Sequence, residues 1–172
     1  MKIVLFDIDG TLIKAGGAGV RALNRAVREM TGCPEACKAH ELQGSTDKFN
    51  FELAFRAGKG RKPAKKEMDE LVRRYLACLP EEVKASLKAK KYEKVKGVEK
   101  FLEKLSKTPG VMIGLGTGNL KDGAFIKLGP SGFMKYFAFG GYGCDSHHRA
   151  EVLEKAVGRA AKLAKAKINP SE

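Results

Sequence analysis

Near the N-terminus the run KIVLF has no polar alternation and ends in DIDGT, so two aspartates one residue apart stand where an apolar segment stops. A short unalternating run of strand-formers is the pattern of a parallel strand covered on both faces. A second such run, VMIGLG, ends in Thr117-Gly118-Asn119, and a third, YFAFGG, follows later. Parallel strands need crossover connections, and the intervening stretches carry helical spacing: Val98, Phe101, Leu102 and Leu105, then Phe125, Ile126 and Leu128. A last stripe runs through Val152, Leu153, Ala156, Val157, Ala160 and Leu163. The order predicts an α/β fold whose core is a Rossmann-like, doubly wound parallel sheet.

One block breaks this grammar. After DIDGT comes AGGAG, which lacks the full spacing of a nucleotide-binding glycine loop and reads as a link. Val20, Leu23, Val27 and Met30 then recur at helical spacing. Asp47 can cap a helix carrying Phe51 and Phe55, and Met68, Leu71, Val72, Tyr75, Leu76 and Leu79 form another apolar stripe. The lysine-rich KASLKAKKYEKVKG reads as the connector that closes the block. The expected organisation is a core of residues 1–14 and 93–172 interrupted by an all-helical cap of residues 15–92.

Composition sets limits on partners. With 172 residues, 43% of them apolar, the chain can bury a core, and no stretch approaches a membrane span, so a soluble cytoplasmic protein is expected. The four cysteines are scattered and read as reduced thiols; Cys33 and Cys37, with His40 nearby, do not complete a zinc set. Net charge is +13. The lysines at 59, 62, 65, 66, 88, 90, 91, 94 and 96 fall in polar stretches without interleaved aromatics, which predicts a solvated surface rather than a nucleic-acid groove.

The strand ends carry the chemistry, because in open α/β sheets ligands bind beyond the carboxyl ends of the strands. Residues two apart on a strand start on one side, so Asp7 and Asp9 can address one crevice while Ile8 turns inward. Two crowded carboxylates repel unless a cation intervenes, and oxygen-only ligation suits Mg²⁺. One carboxylate can serve as a nucleophile and its neighbour as general acid and base. Gly10 and Thr11 can offer amides to a phosphate, and Thr117 with Asn119 can bind its oxygens from the second strand.

FDIDGTLI resembles the first motif of the haloacid dehalogenase superfamily, and LGTGN, which includes Gly118, resembles its second. The helical block between them is similar to the cap that many members insert. AGGAGVRALNRAV, the cap segment GSTD, TGNLKDGAFIKL and YFAFGGYG resemble the phosphoglycolate phosphatase-like branch. The resemblance implies that Asp7 is nucleophile and Mg²⁺ ligand, that Asp9 is general acid/base with its main-chain carbonyl on the metal, and that Thr117 binds phosphate. Gly44, Ser45, Thr46 and Asp47 would either touch substrate from the cap or cap a helix; related phosphatases often carry arginine where Ser45 stands.

Two departures accompany the likeness. Where the third motif supplies a lysine, this chain has Ser146-His147-His148-Arg149, which makes Arg149 the candidate cation ahead of Lys121, with the histidines as a surface feature at a helix start. The chain stops at INPSE, where the family continues to another strand and an acidic fourth motif. The expectation is a truncated or incompletely represented member whose KIVLF strand is an open edge, covered by a homodimer partner or a missing segment. The expected activity is Mg²⁺-dependent hydrolysis of a small phosphate monoester, phosphoglycolate-like or a sugar phosphate. A sugar-phosphate mutase and a non-catalytic phosphate-binding protein are the alternatives.

Overall fold

The structure is a computed structural model that describes residues 1–38 and 44–165. His40 and the INPSE terminus lie outside the described residues. Among the described residues five short strands and six α-helices follow one another: β1 (Lys2–Phe6), β2 (Ile13–Lys14), α1 (Ala18–Thr31), α2 (Asp47–Lys59), α3 (Lys65–Lys88), β3 (Glu93–Lys94), α4 (Val98–Ser106), β4 (Val111–Gly116), α5 (Lys121–Leu128), β5 (Phe139–Gly141) and α6 (Arg149–Ala164).

The three apolar runs pair as expected. β1, β4 and β5 form a parallel sheet in that order, with Ile3 opposite Met112 and Leu115 opposite Gly140. Successive side chains of β1 point to opposite faces and meet different helices. The Phe6 ring packs edge-on against Phe101 of α4, with centroids 6.1 Å apart. Leu5 shares the other face with Gly116 and with Leu153 of α6. Helices therefore cover both faces, as a doubly wound sheet requires. β1 takes the edge position, with β4 on one side and Ile3, Val4 and Leu5 half-buried.

The helical block is a separate layer. Where the chain leaves the sheet and where it returns, β2 and β3 pair antiparallel, Ile13 opposite Lys94 and Lys14 opposite Glu93. Between these two strands α1 packs on α3 and α2 on α1. Their interior faces bury Leu23 and Val27 of α1, Phe51 and Phe55 of α2, and Leu71, Tyr75 and Leu79 of α3. The layer rests on the core through α3 against α5.

Three local expectations need correction. The third strand is Phe139–Gly141 only; Tyr136 ends a 3-10 turn over Phe133–Tyr136, Tyr136 and Phe137 are half-buried and Ala138 is exposed, so only the second half of the apolar run enters the sheet. The first five residues of the connector KASLKAKKYEKVKG are helix, because α3 continues past Pro80 to Lys88. Thr46, not Asp47, is the N-cap of α2, its hydroxyl accepting from the Phe49 amide at 3.5 Å. The nine lysines read as solvated are all exposed. Among the described residues no helix is long and apolar enough to cross a membrane.

Candidate active site

Beyond the carboxyl end of β1 the chain folds back on itself. Gly10 adopts φ +81°, a conformation that a side chain disfavours, and its amide donates to the Ile13 carbonyl at 2.8 Å. The Thr11 amide donates to the Ile8 carbonyl at 3.3 Å. Both amides expected to face phosphate are thus engaged within the turn, and Thr11 itself is exposed, outside the cavity that Gly10 lines. Ile8 is fully buried between the two aspartates, and Asp7 and Asp9 line one cavity of about 560 Å³, a size suited to a small ligand.

The second strand end supplies the opposite wall. Thr117 is fully buried, and its hydroxyl oxygen accepts from the Asn119 main-chain amide at 3.2 Å and from its side-chain amide at 2.8 Å. Thr117 therefore stands behind the cavity and holds Asn119, which lines it together with Gly118. The Asn119 side-chain amide also donates to Asp9 Oδ2 at 2.9 Å.

Each aspartate has a cation of its own. Arg149, the first residue of α6, places Nη2 at 2.6 Å from Asp7 Oδ2, while the Ile8 amide donates to Asp7 Oδ1 at 2.8 Å. Lys127 of α5 places Nζ at 2.8 Å from Asp9 Oδ2 and 2.6 Å from Asn119 Oδ1. Lys121, the other candidate cation, is exposed with its ammonium 5.8 Å from the Phe125 ring centroid, outside the cavity. Burial works to raise the Asp9 pKa, yet the attraction of Lys127 and the hydrogen bonds from Lys127 and Asn119 hold the carboxyl below the usual carboxylate range. Burial alone would lower the Lys127 pKa; Asp9, with smaller contributions from Tyr75 and Asp47, carries it well above the ordinary lysine value.

The helical layer roofs this floor. Gly44, Ser45, Asp47, Asn50 and Phe51 line the cavity, as does Tyr75 of α3. Thr46 is buried beside them and donates its hydroxyl to the His147 carbonyl at 3.2 Å. Asp47 ties roof to floor: its amide donates to the Gly118 carbonyl at 2.7 Å and its Oδ2 accepts from the Leu120 amide at 2.8 Å. Gly118 permits this approach, since a Cβ there would run into the Ser45 carbonyl oxygen. Burial pushes the Asp47 carboxyl up to about 6, against the pull of Lys127 and the Leu120 amide. The AGGAG link also lines the cavity, through Ala15, Gly17, Ala18 and Gly19.

The profile of the haloacid dehalogenase-like hydrolase family matches residues 4–168. The chain belongs to that family. None of the curated proteins matches this hydrolase. Among solved structures, it is similar to a predicted phosphatase from Clostridium acetobutylicum at 15% identity and TM-score 0.65, covering 96% of this chain and 71% of that one. A hydrolase from Pseudomonas syringae has 16% identity and TM-score 0.64, with 97% and 72% covered. A haloacid dehalogenase-like family protein, SP0104 from Streptococcus pneumoniae, has 16% identity and TM-score 0.60, with 96% and 71% covered. At these identities the structures support the fold alone.

The hydrolase's donor set fits a hard cation. Among the described residues no three His, Cys, Asp or Glu side chains converge on a metal position. Asp7 and Asp9 line the crevice, and the main-chain carbonyl of Asp9 accepts no hydrogen bond from the described residues. That suits Mg²⁺, which takes one or two protein oxygens and completes its shell with water and phosphate oxygens. Sequence reasoning missed Lys127, Tyr75, Asn50 and Phe51 as cavity residues. The available signal for Lys127 was its register, one turn from Ala124 and next to Leu128 on the buried face of α5.

Proposed function

We propose that this hydrolase is a Mg²⁺-dependent phosphatase that cleaves a small phosphate monoester through an aspartyl-phosphate on Asp7. The observation that carries the reading is the pair of aspartates on the floor of one roofed cavity, Asp7 against Arg149 and Asp9 against Lys127. Asp7 supplies the attacking carboxylate oxygen, and Arg149 offsets charge between that oxygen and the incoming phosphate. Asp9 gives a proton to the leaving oxygen and then takes one from water. Gly118 and Asn119 shape the opposite wall, and the cap, residues 15–92, keeps bulk water from the acyl phosphate. Bound at Asp7 and the Asp9 carbonyl, Mg²⁺ would neutralise phosphate charge and fix its orientation.

The test is release of inorganic phosphate from an aryl phosphate with and without Mg²⁺. Wild-type protein is expected to turn over only with the metal, and Asp7→Asn to lose at least about a thousandfold in kcat. Undiminished turnover by Asp7→Asn would refute the assignment. Tight phosphate binding with no turnover in the wild type would mark a binding protein instead.

A further inference from the structure

Lys127 has no place in the reaction described above, yet it is the most deeply buried charge at the site. It is 6% exposed, and lysines are rarely so buried without a partner. Its ammonium meets Asp9 Oδ2 and Asn119 Oδ1, and the Asn119 amide group meets the same Asp9 oxygen. The three side chains form a closed ring of contacts on Oδ2. Asp9 Oδ1 has no protein partner among the described residues, and the side chain, which lines the cavity, is 45% exposed. Space for the ammonium comes from Gly19, where a Cβ would lie 3.2 Å from Nζ and 3.3 Å from Cε.

Resting on the phosphatase reading, we propose that Lys127 is a positioning residue that fixes Asp9 Oδ2 and so presents Oδ1 for both proton transfers. In the first step a bond forms between an Asp7 oxygen and phosphorus. The bond from phosphorus to the leaving oxygen breaks, and that oxygen takes its proton through Asp9 Oδ1, whose carboxylate first receives it from the bound phosphate monoanion. In the second step a water oxygen bonds to phosphorus and the bond to Asp7 breaks. Oδ1 then takes the water's proton and passes it to the departing phosphate, which returns Asp9 to the carboxylate. Lys127 touches neither the phosphate nor the leaving group; it acts by orientation, through Asp9 directly and through Asn119.

A purely structural lysine would affect all substrates alike, whereas a positioning lysine matters most where the leaving group needs its proton. The experiment compares kcat/KM on an aryl phosphate with an acidic leaving phenol and on glycerol phosphate, for wild type, Lys127→Met and Gly19→Ala. Lys127→Met is expected to lose about a hundredfold or more on glycerol phosphate and under about tenfold on the aryl ester, with KM little changed. Gly19→Ala replaces a helical glycine with a better helix former and crowds the ammonium without removing its charge, so it should shift the glycerol-to-aryl ratio several-fold in the same direction. If Lys127→Met fails to fold, the Gly19→Ala ratio decides. Equal losses on both substrates, or an unchanged ratio in folded Gly19→Ala, would overturn the positioning role while leaving the phosphatase reading intact. Absence of wild-type turnover on both esters would instead sink the phosphatase reading, and this role with it.

Discussion

At the residue scale Asp47 joins the cap to the loop after β4, and its carboxyl titrates in a way that can be measured. Its pKa rises from 3.8 unfolded to about 6 folded, chiefly through burial, in a setting shared with Lys127, Asp9 and Tyr75. Between those values the folded state keeps a proton that the unfolded chain has released. The associated stability is therefore full below about pH 4 and lost as pH rises toward 6, amounting to no more than about 3 kcal/mol. Asp9 has the opposite shift, so its own contribution is present at higher pH and lost on acidification, in wild type and variant alike. Asp47→Asn should remove the first slope: urea unfolding between pH 4 and 6 is expected to show the wild type losing its advantage over the variant as pH rises. Parallel profiles would contradict the assigned shift. Asp7 and Asp9 were legible because spacing at a strand end carries information, and Arg149 because the family resemblance expects a cation at that position. Lys127 was not, since a lysine in a helix is ordinary until the packing of α5 against the cap is known.

At the element scale, the first turn of α2 docks on the loop after β4 by main-chain contact, which side-chain patterns cannot announce. The sequence marked this segment as either helix cap or substrate contact, and its residues divide between the two: Thr46 caps α2, while Gly44, Ser45 and Asp47 line the cavity. Thr46→Ala removes the cap bond and the contact to the His147 carbonyl and should cost about 1–2 kcal/mol in chemical denaturation. Gly118→Ala should cost about 1–3 kcal/mol by forcing the Ser45 carbonyl away, and it should also lower kcat/KM, because the displaced segment lines the cavity. A variant as stable and active as wild type would refute the close approach. Strands β1 and β4 were legible as unalternating apolar runs. β5 was only half legible, because the apolar run continues on its N-terminal side through Tyr136 and Phe137, which lie outside the strand.

At the scale of the whole molecule, a net charge of +13 surrounds a site that the proposed reaction supplies with anions. Exposed lysines gather around α3 and the connector that follows it, so their field acts on approach more than on chemistry. Raising ionic strength should therefore lower kcat/KM for a phosphate monoester while kcat holds, as steady-state kinetics across a salt series will show. An unchanged kcat/KM would deny the charge any steering role. The layered plan, sheet core and helical insert, was readable from the order of periodicities. How deeply the insert reaches into the site was not, because that depends on the glycines of AGGAG and TGN bringing two layers together. The central claim remains that Asp7 carries the phosphoryl group, and rapid acid quench during turnover followed by peptide mass measurement tests it directly. One phosphoryl group on the peptide containing Asp7, absent from Asp7→Asn, is the predicted result; steady turnover with no phosphorylated peptide at any quench time would contradict it.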